Sequence, residues 1–336
     1  MRAAVLTGLG QPLEVQTLSD PTPGPRDVIV KVGRCGICGS DLHISEDPVF
    51  GVPMGAVLGH EYAGEVVEVG REVERIRIGD RLAVFPLETC GECGPCRSGQ
   101  PAWCEKQMTV GGGGYGQFSK VAEHQCVRMP SGVSLDDGAL VEPMAVGLHA
   151  VNVAGLKSGQ RVLVIGAGPI GLAVVFWARR MGAGRIVCTA SSTRRAEMAR
   201  DLGATEFVGP SDDFKGEVNR ALGGPPEIVF ECVGKEGLIQ RCIDLVQPRG
   251  TVVVAGLCTT PDQINPFWLV NKEVRVQPSA FYDLRDFETT LDLFDSGVNV
   301  PQAMITDHVS LDAMPEAFEA LKHRTHQCKV MVKAWD

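Results

Sequence analysis

A short apolar run that ends in a glycine-rich turn constrains the fold of this chain more than any other feature. Arg161–Ile165 has the composition of a buried strand, Gly166–Gly171 follows it directly, and a long apolar helix is expected through Trp177. Similar runs recur with helical stretches between them, at 161–165, 185–189, 227–231 and 251–255. Strands that alternate with helices form a parallel sheet covered on both faces. This part of the chain is therefore predicted to be a doubly wound α/β domain.

The glycine turn has the spacing G-x-G-x-x-G and stands after a strand and at the start of a helix, which is the context that gives the motif meaning. In this motif Gly166 permits the tight turn, Gly168 lets the backbone approach a pyrophosphate, and Gly171 lets the helix pack closely on the strand. The N–H groups at the helix start then face the phosphates. A turn that only connects strand and helix is the alternative, but the repeating pattern favours a dinucleotide site formed by Gly166, Gly168, Pro169, Ile170 and Gly171.

The end of the second strand indicates which dinucleotide is bound. An NAD site usually has an Asp or Glu there, about 20 residues after the glycines. Here Ala190 follows the strand, and no acid occurs between Arg185 and Ala196. Because Arg pairs in bidentate fashion with phosphate, the segment suits a 2′-phosphate and predicts NADP in preference to NAD. The expected contacts are Ser191, Ser192, Arg194 and Arg195, although a basic pair can also lie on the solvated first turn of a surface helix.

Four of the twelve cysteines form one short cluster, Cys90, Cys93, Cys96 and Cys104. In a reducing compartment such spacing favours metal thiolates over disulfides. Four thiolates can close a tetrahedral zinc site that leaves no position for substrate. We therefore predict a structural zinc that folds a lobe with little core of its own, at about residues 88–106.

A second group of possible metal ligands is spread along the first half of the chain, at Cys38, His60, Glu61 and Glu142. Ligands from separate loops are typical of an active site rather than of a structural clip. Each residue alone is ambiguous, because a lone His is more often a hydrogen-bonded core residue and Glu142 could cap a helix. Periodicity does not bring these residues together.

Length and charge narrow the class of protein. A chain of 336 residues exceeds what one hydrophobic core usually supports, so two domains are expected. A formal net charge of −9 argues against nucleic acid as a partner. The chain start has no signal-peptide pattern and no apolar stretch is long enough to cross a bilayer, so we expect no membrane association and a cytoplasmic protein.

The rest of the chain has a different residue pattern from the α/β part. The first 140 or so residues are β-rich with Gly and Pro punctuation, and strands are expected at Val28–Val32, Gly64–Val69 and Arg81–Phe85. The tail ends in a strand-like Lys329–Lys333. We predict an irregular barrel with inserted lobes for the first half.

The stretch from Cys38 to His43, Gly59-His60-Glu61, the four-cysteine loop and the glycine turn, in this order, resemble the zinc-containing medium-chain alcohol dehydrogenases. The likeness covers essentially the whole chain. Residues 139–147, Ala-Leu-Val-Glu-Pro-Met-Ala-Val-Gly, are similar to the sorbitol and polyol dehydrogenase branch. The resemblance implies a GroES-like catalytic domain at 1–143 and 283–336 and a Rossmann domain at 144–282.

The resemblance also implies the roles of the second group of ligands. Cys38, His60 and Glu61 are zinc ligands, and Glu142 binds the metal or its water. Glu61 is also predicted to be a catalytic residue, together with Ser40 and His43. Cys38 is favoured over Cys35, because the family ligand lies two residues before the active-site Ser or Thr, here Ser40. Ala190 departs from the polyol pattern, in which NAD enzymes keep an Asp.

The expected reaction is hydride transfer between a polyol or secondary alcohol, or the matching ketone, and the nicotinamide. Zinc acts as a Lewis acid on the substrate hydroxyl, and Ser40 passes the proton toward the cofactor ribose and His43. A threonine-type or simple alcohol dehydrogenase using NAD is the alternative, and a non-catalytic NADPH-binding zinc protein is a more distant one. The resemblance further implies a homodimer or homotetramer.

Overall fold

The computed structural model describes residues 1–323 and 325–335. The chain divides into two compact units, Met1–Glu142 with Asp283–Asp336, and Pro143–Tyr282. Among the helices of the described residues, none has the length and apolar character needed to cross a bilayer.

The elements of the first unit up to the inserted unit are β1 (Arg2–Val5), β2 (Glu14–Thr17), β3 (Asp27–Gly36), α1 (Gly39–Ile44), β4 (Glu61–Val69), β5 (Arg81–Val84), β6 (Leu87–Glu88), α2 (Gly94–Arg97), β7 (Thr109–Val110), β8 (Phe118–Ala122) and β9 (Cys126–Arg128). The long helix α3 (Leu135–Ala154) begins in the first unit and continues into the second. The second unit contains β10 (Arg161–Ile165), α4 (Pro169–Arg180), β11 (Arg185–Thr189), α5 (Ala196–Asp201), β12 (Glu206–Val208), α6 (Phe214–Leu222), β13 (Ile228–Glu231), α7 (Leu238–Leu245), β14 (Thr251–Val254), α8 (Pro266–Lys272) and β15 (Arg275–Pro278).

The chain then returns to the first unit with α9 (Leu284–Asp295), β16 (Ile305–Ser310), α10 (Met314–Ala320) and β17 (Lys329–Lys333). Single 3-10 turns lie at Pro48–Phe50, Pro101–Trp103, Glu123–Gln125, Val300–Met304 and Leu321–His323.

A seven-stranded sheet forms the centre of the first unit. Its strands follow the order β16-β17-β3-β4-β5-β9, and β8 pairs with β3. The long strand β3 is antiparallel to β4, β8 and β17. The C-terminal strand β17 therefore brings residues from the end of the chain next to the segment that carries Cys35 and Gly36. Apolar side chains from both ends of the chain share one core, including Leu6, Val30 and Phe318.

The second unit is a six-stranded sheet in the order β12-β11-β10-β13-β14-β15, with every pair parallel. The strand order reverses direction between β10 and β13, which is the switch point where open α/β sheets bind ligands. The predicted α/β class, with a β-rich part and a doubly wound parallel-sheet part, is confirmed.

Two strands of this sheet lie outside the sequence prediction, β12 and β15, and they are its two edges. Edge strands are buried on fewer sides than central strands, so they do not need a continuous apolar run. Strand β12 begins with the exposed Glu206, and β15 begins with the exposed Arg275. A continuous apolar run is therefore missing in the two edge strands, where the sheet does not require one.

Candidate functional site

The four clustered cysteines converge in the first unit. Helix α2 begins directly after Cys93, and the 3-10 turn at Pro101–Trp103 is followed directly by Cys104. These two tight turns bring the thiols together. The Sγ–Sγ distances are 3.4 Å for Cys93–Cys96, 3.6 Å for Cys90–Cys104, and 3.9 Å for both Cys90–Cys96 and Cys93–Cys104. Four sulfurs at about 2.3 Å from a tetrahedral zinc lie roughly 3.8 Å apart, so the set fits this ion.

The backbone around this cluster favours thiolate at two positions, because backbone N–H groups lower the pKa of Cys93 and of Cys104. The backbone N–H of Cys90 lies 3.5 Å from the Cys104 sulfur, and this N–H and its neighbours lower the pKa of the Cys104 thiol to about 6. Burial raises the pKa of Cys96 to about 11. Because metals bind thiolates, a cluster that already favours two thiolates is suited to cation binding.

The second ligand group also converges. Cys38, His60 and Glu61 each offer one ligand atom, and these atoms lie within 4.8 Å of one another. Cys38 precedes α1, and His60 and Glu61 lie at the start of β4. His60 and Glu61 are buried and Cys38 is half-buried, so a sulfur, an imidazole nitrogen and a carboxylate meet at one place. This donor chemistry fits zinc.

The remaining residues predicted for this group lie at different places. The Ser40 hydroxyl donates to Cys38 Sγ at 3.1 Å and lies 3.5 Å from His60 Nε2, so it is among the ligand atoms. His43 is in the last turn of α1 and is exposed. Glu142 lies inside α3, followed by Pro143, and is buried, so it does not cap a helix. Among the described residues, the 4.8 Å group does not include Glu142.

A buried lysine neutralises Glu61. Lys329 Nζ lies 2.6 and 2.5 Å from the two carboxylate oxygens of Glu61, and donates to the carbonyl of Ile37 at 3.2 Å. Both side chains are almost completely shielded from solvent. A Cβ on Gly36 would overlap a Glu61 carboxylate oxygen, so this glycine leaves the room that the pair needs. Burial lowers the pKa of Lys329, but Glu61, Cys38 and Glu142 outweigh it and raise the pKa above its usual value.

Asp41 is the partner of His60 on the side away from Cys38. His60 Nδ1 lies 3.2 Å from Asp41 Oδ1, and both residues are buried. A carboxylate behind a histidine fixes its tautomer and ring orientation, a common arrangement around metal-binding histidines. The other Asp41 oxygen accepts a hydrogen bond of 2.5 Å from the hydroxyl of Tyr115.

Three functional candidates, Asp41, Tyr115 and Lys329, were missed by the sequence reasoning. Asp41 carried a signal, because it lies in the segment between Cys38 and His43 that the resemblance uses. Tyr115 and Lys329 carried none, because their partners are 74 and 268 residues away along the chain.

The glycine turn in the second unit has the geometry that its motif requires. Gly166 has a φ of 110°, a conformation that residues with a side chain rarely adopt. A Cβ on Gly171 would overlap the carbonyl oxygen of Gly166, whereas a Cβ on Gly168 would meet no atom within 4 Å. Gly168 immediately precedes Pro169, the first residue of α4, and Ile170 follows in its first turn. The turn is therefore closely packed at Gly171 and open at Gly168, where a ligand would approach.

The residues after β11 lie beside this turn. Arg195 donates from Nη1 to the carbonyl of Ala167 at 2.8 Å, which places its guanidinium at the glycine-rich loop. Ser191 and Arg194 are exposed, and Ser192 is half-buried. Thr189 pairs with Ile165 in the sheet, so the segment starts level with the turn.

Comparison with known proteins identifies the family. Residues 24–131 match the alcohol dehydrogenase GroES-like domain, and residues 169–296 match the zinc-binding dehydrogenase domain. The chain is 34% identical to (R,R)-butanediol dehydrogenase of Bacillus subtilis, with 96% of each chain covered. It is 33% identical to sorbitol dehydrogenase of Ovis aries, covering 96% of this chain and 93% of the relative.

Solved structures agree with this assignment. An alcohol dehydrogenase of Escherichia coli CFT073 complexed with NADH has a TM-score of 0.90 at 26% identity, with 99% of each chain covered. A putative zinc-binding dehydrogenase of Sinorhizobium meliloti 1021 bound to NADP has a TM-score of 0.88 at 31% identity, covering 99% of this chain and 98% of the other. The chain belongs to the zinc-binding, medium-chain alcohol dehydrogenase family, in its sorbitol and polyol-like branch. It is an oxidoreductase that uses a nicotinamide cofactor, as the resemblance predicted.

Proposed function

We propose that this protein oxidises a polyol or secondary alcohol, or reduces the matching ketone, with NADP as cofactor and zinc at two sites. The observation that carries the proposal is the convergence of Cys38, His60 and Glu61 with the hydroxyl of Ser40 in one group, in which His60 and Glu61 are buried. The sorbitol and butanediol dehydrogenases among the relatives support substrates with more than one hydroxyl.

The two zinc sites have different tasks. Cys90, Cys93, Cys96 and Cys104 hold a structural ion, because four thiolates leave no open position. Cys38, His60 and Glu61 hold the catalytic ion, and Glu142 binds it or its water. When bound, zinc supplies a Lewis acid that makes a substrate hydroxyl easier to deprotonate.

The protein's own side chains handle the proton. The Ser40 hydroxyl lies beside both Cys38 and His60, where a substrate oxygen would be held. It would relay the substrate proton, accepting it while its own hydroxyl proton passes toward the cofactor ribose and His43. His43 is exposed at the end of the same helix and delivers the proton to solvent. Lys329 pairs with Glu61 in the interior, where its ammonium group lies against both carboxylate oxygens.

The preference for NADP rests on the segment after β11. Ala190 stands where an acid would repel a phosphate, and Arg195 lies at the glycine-rich loop. Arg194, Arg195, Ser191 and Ser192 bind the 2′-phosphate in this proposal, and the NADP-bound relative is in keeping with it. If the hydrogen bond from Arg195 to Ala167 has only a structural role, Arg195 does not bind a phosphate. NAD is therefore the second candidate for the cofactor.

We propose that residues 1–143 with 283–336 are the catalytic domain and that 144–282 bind the cofactor. The homodimer or homotetramer and the cytoplasmic location stay predictions.

The test is a panel of polyols and secondary alcohols, including sorbitol and butanediol, assayed with NADP and NAD in parallel at the absorbance band of the reduced nicotinamide. We expect NADP to be preferred. Arg194→Ala should raise the KM for NADP by roughly tenfold, since it removes one charge-assisted contact, while the KM for NAD stays unchanged. Ala190→Asp should shift the preference toward NAD. Arg200→Ala, which removes a basic residue from the last turn of α5, is the matched control.

Two results would overturn parts of the proposal separately. A wild-type preference for NAD that Arg194→Ala leaves unchanged would contradict the assignment of NADP. Turnover of no polyol or secondary alcohol in the panel with either cofactor would contradict the substrate class.

A further inference from the structure

Asp41 is a buried carboxylate that receives three hydrogen bonds. Its side chain is 1% exposed. Oδ1 faces His60 Nδ1 at 3.2 Å, and Oδ2 accepts from the Tyr115 hydroxyl at 2.5 Å and from the backbone N–H of Cys38 at 3.3 Å. Oδ2 is thus held by Tyr115 and by the backbone N–H of Cys38, and Oδ1 is left for the imidazole of His60.

Tyr115 is itself fixed in place. Its backbone N–H donates to the carbonyl of Leu58 at 3.0 Å, and its carbonyl accepts from the N–H of Ala4 at 2.9 Å. The ring packs edge-on against Phe318. A Cβ on Gly59 would lie 2.6 Å from the ring, so the residue before His60 leaves space for this phenol. The fully buried phenol is therefore held in position, with its hydroxyl against Asp41.

The Tyr115 hydroxyl is the donor in its hydrogen bond with Asp41. Burial and the charge of Asp41 raise the pKa of Tyr115, which keeps its hydroxyl protonated as a donor.

Because Asp41 Oδ2 is held by the Tyr115 hydroxyl and the Cys38 backbone N–H, Asp41 Oδ1 stays opposite His60 Nδ1. The other ring nitrogen, Nε2, then points to the side of Cys38, where it lies 3.5 Å from Ser40 Oγ. We infer that Tyr115 is a positioning residue of the catalytic metal site: by holding Asp41, it fixes the tautomer and direction of His60 so that Nε2 is presented to zinc. The inference rests on the proposed function, because it requires that His60 binds the metal.

Tyr115→Phe tests this with little change of packing, since the ring against Phe318 remains. The matched control is Tyr62→Phe, because Tyr62 is also buried and its hydroxyl makes one buried hydrogen bond, of 2.8 Å to Ser119 Oγ. Zinc dissociation constants of the full-length proteins are measured by competition with a chromogenic chelator, and the four-cysteine site serves as internal reference. Cobalt substitution then reports on ligand geometry through its visible absorption, which a general loss of stability would not move.

We expect Tyr115→Phe to weaken zinc binding at the Cys38 site by about tenfold and to alter the cobalt spectrum, as for the loss of an outer-shell partner. Tyr62→Phe should change neither, although both variants lower the midpoint of urea unfolding. Wild-type affinity and spectrum in Tyr115→Phe, or equal changes in both variants, would overturn the inference. If Cys38→Ala removes no zinc from the wild-type background, the proposed function fails first, and this result involves neither tyrosine.

Discussion

Lys329 and Glu61 show how much the interior of the first unit depends on individual charges. An isolated charge in a protein interior is costly, whereas a pair with hydrogen bonds to both partners is tolerated. Here one ammonium group contacts both oxygens of one carboxylate, and the small Gly36 leaves space beside them. The same lysine is close enough to Glu142 to be affected by its charge. Glu61 and Glu142, the two carboxylates that were predicted as zinc ligands, thus both interact with the ammonium group of Lys329.

Lys329→Met should lower the free energy of unfolding by about 3–5 kcal/mol in chelator-treated protein, because Glu61 is left buried without a counter-charge. Urea unfolding followed by circular dichroism measures this. The control is Lys322→Met, which removes a lysine from a more exposed pair with Glu46 and Glu319 and should cost less than about 1 kcal/mol. Adding Glu61→Gln to Lys329→Met should recover part of the loss. Equal effects of the two single substitutions would contradict the account.

At the scale of elements, the turn between β10 and α4 combines two requirements on its glycines. Gly171 is needed for packing, since the helix start lies against the carbonyl of Gly166, and Gly168 faces open space. The sequence motif assigns functions to both positions but does not show that the two differ in their effect on stability.

Gly171→Ala should therefore destabilise the protein by about 1–3 kcal/mol, because the added methyl group forces the helix away from the strand. Gly168→Ala should change the unfolding free energy by less than about 1 kcal/mol, since its φ of −76° suits alanine. Both should weaken NADPH binding, measured by cofactor fluorescence, but only Gly171→Ala should shift the urea midpoint. A stable Gly171→Ala protein with unchanged NADPH affinity would show that the turn only connects strand and helix.

How far the sequence predicts this fold depends on what each element buries. Central strands such as Arg161–Ile165 were predicted with their bounds, because burial on both faces requires an apolar run. In the first unit, β3 extends to Gly36, beyond the predicted Val28–Val32, because its later half pairs with β17 from the other end of the chain. Such pairing leaves no local pattern. Tyr115 was missed for the same reason, since its role depends on a contact with Asp41 in three dimensions.

At the scale of the whole molecule, the chain leaves the first unit after Glu142 and returns to it at Asp283. The returning segment supplies Lys329, which contacts Glu61 from the first segment. The first unit is therefore not complete without the end of the chain. Its grouped ligands Cys38, His60 and Glu61 all come from the segment before the inserted unit, whereas the counter-charge of Glu61 comes from the segment after it.

The central claim is that two zinc sites of different function serve one nicotinamide-dependent dehydrogenase. It is tested most directly by measuring zinc content and polyol-dependent nicotinamide reduction together in the wild type, Cys38→Ala, Cys104→Ala and the control Cys126→Ala, whose cysteine belongs to neither ligand group. We predict about two zinc ions per chain in the wild type and control, and about one in each of the other variants. Cys38→Ala should fold normally and lose turnover, whereas Cys104→Ala should lose stability first. A Cys38→Ala protein with full zinc content and full turnover would contradict the account.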